Sequence, residues 1–63
     1  MIFRVECFCP TTNWIVDDEF KTASKAIDRA MTVKAIKVRV ILVDEKSKQE
    51  REVYRRESHD DSI

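Results

Sequence analysis

The chain has 63 residues, with twelve Lys plus Arg balanced by twelve Asp plus Glu, one Pro, two Cys and no Gly, which leaves room for one small domain. An apolar content of 43% in so short a chain supports one thin core and excludes a deep substrate cleft, and a formal net charge of zero excludes a global field that would draw in a polyanion. Phosphate-binding loops and two-residue Asn-Gly or Asp-Gly hairpins both need glycine for positive φ, so the composition excludes these as well.

No stretch approaches the roughly 18 apolar residues of a membrane span, and residues 1–10 mix Arg4 and Glu6 into an apolar segment, unlike a secretory signal. These features point to a cytoplasmic protein with no membrane partner. Cys7 and Cys9 are one residue apart on a predicted strand, where their side chains share a face without favourable disulfide geometry. They read as reduced, small apolar residues.

From Ile2 to Cys9 the chain alternates as a strand. Phe3, Val5, Cys7 and Cys9 form an inner face, and Ile2, Arg4, Glu6 and Phe8 an outer one. Pro10-Thr11-Thr12-Asn13 follows as a turn, with Asn13 suited to a left-handed conformation, and Trp14 to Phe20 forms a second strand. Closing the hairpin on that turn sets Cys9 against Trp14, Cys7 against Val16, Val5 against Asp18 and Phe3 against Phe20 on the inner side. The outer side then pairs Phe8 with Ile15 and Arg4 with Glu19. Two placements fit poorly in this register. Asp18 falls on the inner face, and Glu6 meets Asp17 as a like-charge pair.

Ala23, Ala26, Ile27, Ala30 and Met31 recur at helical spacing and predict a helix capped by Thr22 or Ser24 and ending near Lys34. Its alanines permit close approach to a sheet. Ile36, Val38, Val40 and Leu42 then alternate with Lys37, Arg39, Ile41 and Val43, the clearest strand pattern in the chain and the expected central strand. Asp44–Gln49 is a polar turn, and Glu50–Arg56 a short, charged fourth strand of the kind that protects a sheet edge.

The expected fold is therefore α+β, an antiparallel sheet of order 2-1-3-4 with one helix packed on one face, in a single β-β-α-β-β domain over residues 1–56. Residues 57–63 read as a flexible acidic tail.

Catalytic and metal chemistry find little support. Cys7, Cys9, His59 and Asp60 are nominal metal ligands, but structural zinc ligands come as Cys-x-x-Cys pairs on turns, so no metal and no cofactor is expected. Asp17, Asp18 and Glu19 are adjacent strand residues and do not converge on a substrate, and the single His59 offers no base beside a cysteine nucleophile. The expectation is a protein without enzymatic activity.

Two binding surfaces remain. Ile2, Phe8, Ile15, Ile41 and Val43 are expected on the uncovered outer sheet face, where antiparallel sheets ordinarily present polar residues. This makes that face a candidate contact for another protein or for a second copy of the chain. Phe8 and Ile15 would be its anchors, with Arg4, Lys37 and Arg39 giving polar specificity. The alternative is nucleic-acid binding along a basic stripe of Lys37, Arg39, Arg51, Arg55 and Arg56 with Tyr54 as a stacking surface, although interleaved Glu50, Glu52 and Glu57 cancel part of its charge.

Phe3-Arg4-Val5, Trp14-Ile15-Val16, Phe20-Lys21-Thr22-Ala23 with Ala26-Ile27 and Ala30, and Ile36 to Val43 together resemble the layout of very small phage-encoded proteins, namely the podovirus inhibitors of bacterial RNA polymerase. The resemblance spans about the first 43 residues as a pattern of apolar positions, and the fourth strand departs from it. It implies a strand-strand-helix-strand core and a phage or mobile-element accessory factor that modulates a host protein by binding it.

Overall fold

The structure, a computed structural model, describes residues 1–57. The elements in chain order are β1 (Ile2–Cys9), β2 (Asn13–Phe20), α1 (Ala23–Thr32), β3 (Lys37–Asp44) and β4 (Gln49–Glu57). The strands form one antiparallel sheet of order β2-β1-β3-β4, with α1 across one face. The β-branched alternation of β3 places it centrally, between β1 and β4. Glu57 continues β4 rather than opening the tail, and residues 58–63, with His59 and Asp60, lie outside the described residues.

Both hairpins turn without glycine. Asn13 takes φ 61° and Lys48 φ 58°, the left-handed conformations that the turns require. Thr12 N–H donates to the Cys9 carbonyl at 3.1 Å, and Lys48 N–H to that of Asp44 at 2.7 Å. The Asp44 side chain also accepts from the Lys46 N–H at 3.1 Å, a local bond that sets the second turn and lowers the Asp44 pKa.

The β1–β2 register holds at Phe3↔Phe20, Arg4↔Glu19 and Val5↔Asp18, then shifts, so that Glu6 faces Val16, Cys7 faces Ile15 and Phe8 faces Trp14. Asp17 is the extra residue, a β-bulge. The expected pairs Phe8–Ile15, Cys9–Trp14 and Cys7–Val16 are thereby corrected, and the physical reason is electrostatic. The bulge dissolves the Glu6–Asp17 repulsion and hands Asp17 to Arg29 of α1, whose Nε and Nη2 donate to it at 2.7 and 3.1 Å. A second bulge, at Val53, interrupts β4, so each edge strand carries a kink that hinders pairing with another sheet.

Val5, Val38 and Val40 are fully buried with Ala26 and Ala30, and Cys7 joins them. Each buried valine contributes about 1.5–3 kcal/mol of apolar transfer free energy, and the alanines let the helix backbone lie close over them. The helix is shorter than the sequence pattern suggested, ending at Thr32 rather than near Lys34, where the β-branched Thr32 and Val33 take the chain back to extended geometry. Thr22 is the N-cap residue, and Ala26 N–H donates to its carbonyl at 3.3 Å. Met31, expected on the apolar stripe, is instead 60% exposed, because a ten-residue helix buries only the stripe through Ala26, Ile27 and Ala30. No helix is long and apolar enough to cross a membrane among the described residues.

Candidate interaction surface on the outer sheet face

Alternation along β1 and β3 sends Arg4, Glu6, Phe8, Lys37, Arg39 and Ile41 away from α1. Glu6 lies at the centre of this face. It is 7% exposed and accepts from Arg4 Nε and Arg39 Nε, each at 2.7 Å. Arg4 reaches on to Glu50 of β4, its Nη2 donating at 2.7 Å. The Glu50 bond is the largest influence raising the Arg4 pKa, and the same bond lowers that of Glu50. A chain of alternating charge therefore crosses β1, β3 and β4. Every buried polar side-chain atom among the described residues has a partner, which keeps the cost of burying Glu6 down.

Beside this network lie the aromatics. Phe8 and Trp14, facing each other across β1 and β2, meet edge to face with centroids 5.5 Å apart at 66°. Lys37 Nζ stands 5.3 Å above Phe8, and the Arg39 guanidinium 3.9 Å above Trp14. Arg55 of β4 approaches Trp14 to 5.8 Å while donating to Glu52 and Glu57. The cations are thus spread over rings and carboxylates rather than free in solution.

Of the residues expected on this surface, Arg4, Phe8, Lys37, Arg39, Ile41 and Val43 share it, and Ile15 does not. The bulge turns Ile15 to the helix side, opposite Cys7, where it is 48% exposed. The face is also less apolar than expected. Ile41, set between Arg4 and Glu52, is only 7% exposed, and charged stems cover it. Trp14 and Glu6 were absent from the expected site. The signal that would have found them is the like-charge misfit of Glu6 and Asp17, which marks an inserted residue.

The basic stripe divides between the two faces. Lys37, Arg39 and Arg55 stand on the outer face, whereas Arg51, Tyr54 and Arg56 face the helix side opposite Leu42, Val40 and Val38. Arg56 is committed to α1, where its guanidinium donates to the carbonyls of Ala30 and Val33 at the helix C-terminus. Tyr54 packs against the core. The six residues therefore do not form one continuous track.

Cys7 and Cys9 are free thiols in contrasting surroundings. Burial raises the Cys7 pKa, while hydrogen bonding, first of all to the Thr11 hydroxyl at 3.2 Å, lowers that of Cys9 to about 7. The carboxylates of β2 go separate ways: Asp17 to Arg29, Asp18 to the Glu19 N–H at 2.8 Å, and Glu19 opposite Arg4.

Comparison with protein-family models, with curated proteins and with solved structures gives no significant match.

Proposed function

We propose that this chain is a non-enzymatic protein-binding module whose acting surface is the outer sheet face. The observation that carries the reading is the Phe8–Trp14 pair with Lys37 and Arg39 set over its rings. Aromatic and arginine side chains are the types that dominate binding energy at protein interfaces. Here the sheet and the Glu6 ion pairs hold them in place before any partner arrives, which reduces the ordering cost of association. Phe8 and Trp14 serve as anchors, and Arg4, Lys37 and Arg39 supply directional contacts to carboxylates or carbonyls of the partner. The resemblance of its apolar pattern to that of small phage-encoded proteins is what points this proposal to a bacterial host protein as the target, bound and modulated rather than chemically altered.

The test is affinity purification from a bacterial lysate with the tagged chain and with its Phe8→Ser and Trp14→Ser variants, each with and without nuclease. The proposal expects a protein retained after nuclease and at moderate salt, and lost from both variants. Retention that disappears with nuclease, or that weakens steeply between low and moderate salt, would replace it with nucleic-acid binding through Lys37, Arg39 and Arg55.

A further inference from the structure

Several of the large apolar side chains left exposed cluster away from the outer face. Ile15, Ile36 and Met31, between 48% and 60% exposed, gather where the β1–β2 hairpin meets the connection from α1 to β3. Ile15 and Ile36 line a groove of about 410 Å³ together with Cys9, Pro10 and Lys34. Met31 lines a second groove of about 490 Å³ that shares the wall formed by residues 33–36. Among the described residues, Lys34 borders both grooves, Arg56 borders the second, and no carboxylate lines either. Lys34 makes no ion pair among the described residues.

We propose that this end groove, which adjoins the outer face at Phe8, is a second docking site for a short apolar segment of a protein partner that carries a carboxylate beside its apolar side chains. Ile15, Ile36 and Pro10 would take the apolar side chains, and Lys34 would take the carboxylate as a charge-assisted partner. Charge complementarity selects this occupant over a second copy of the chain. Self-pairing centred on the groove brings the two Lys34 side chains together, a like-charge arrangement that opposes association.

The probes are short fluorescein-labelled peptides in which leucine and phenylalanine are flanked by aspartates, by lysines or by serines. Binding to the whole chain is read by fluorescence anisotropy and by amide chemical-shift changes. The aspartate-flanked peptide is expected to bind best and to shift the amides of Ile15 and of residues 34–36, with Trp14 unmoved. Ile36→Ser is expected to abolish binding. Lys34→Glu, an exposed change that leaves the core intact, is expected to weaken it about tenfold and to favour the lysine-flanked peptide instead. Absence of saturable binding, equal binding of the aspartate- and lysine-flanked peptides, shifts centred on Trp14, or a dimer in sedimentation that Ile36→Ser dissociates would each overturn the proposal.

Discussion

Arg39 lies with its guanidinium 3.9 Å from the centre of the Trp14 ring while its Nε donates to Glu6 at 2.7 Å, so a residue of the central strand β3 spans β1 to reach the edge strand β2. One side chain thereby links the aromatic pair to the buried carboxylate. Glu6 fixes the position of Arg39, and Arg39 covers the face of Trp14. This coupling explains how an uncovered sheet face remains ordered although much of its surface is charged.

Removing the charge of Glu6 tests that coupling. Glu6→Gln keeps the shape but leaves Arg4 and Arg39 without the carboxylate they share, and breaking a partly buried charged network of this kind costs about 2–4 kcal/mol. Thermal denaturation should show the loss. Trp14 is the only tryptophan, so its emission should also change as Arg39 moves from the ring.

The Asp17–Arg29 pair predicts a pH dependence. Hydrogen bonding to Arg29 lowers the Asp17 pKa in the folded protein, so its contribution is present above the unfolded aspartate value of about 4 and is lost as pH falls through the lower folded value. Asp17→Asn should therefore reduce stability at neutral pH and flatten the decline below about pH 4. Equal acid sensitivity in both proteins, measured by denaturant titration at several pH values, would contradict the pairing.

The two thiols should react at different rates. With its pKa near 7, Cys9 is substantially thiolate at neutral pH, whereas Cys7 is buried and its pKa raised. Limited alkylation followed by mass spectrometry should label Cys9 first and Cys7 only on unfolding. Thr11→Val removes the largest cause of the lowered pKa and should move the Cys9 rate profile to higher pH.

Ala30 and Arg56 make a structural prediction at the two ends of one contact. Ala30→Leu forces a larger side chain between helix and sheet and should cost about 1–3 kcal/mol. Arg56→Ala removes the donors to the Ala30 and Val33 carbonyls and should cost about 1–2 kcal/mol, whereas Arg51→Ala should be nearly neutral. Denaturation midpoints distinguish this from a role in binding, which would leave both arginine variants equally stable.

The element order and sheet order were legible in the sequence because each rests on a local signal. The alternation of Ile36 to Val43 marks the central strand, the spacing of Ala26, Ile27 and Ala30 marks the helix, and Asn13 marks a turn without glycine. The site was only partly legible, because cross-strand neighbours depend on a register that one inserted residue changes. Everything in β2 before Asp17 turns over, which exchanges Ile15 for Trp14 on the outer face and leaves Phe8 with an aromatic partner. The role of Arg56 was hidden for a different reason. Its acceptors belong to the end of a helix distant in sequence, and no short-range pattern records that contact.

The most direct test of the outer-face proposal uses Trp14 as its own reporter, because it is the chain's only tryptophan and lies in the proposed contact. Acrylamide quenching of Trp14 should be measured for the free chain and for the chain saturated with the protein partner captured by affinity purification. The account predicts strong protection of Trp14 in the complex and a shift of its emission. Unchanged quenching at saturation would contradict it.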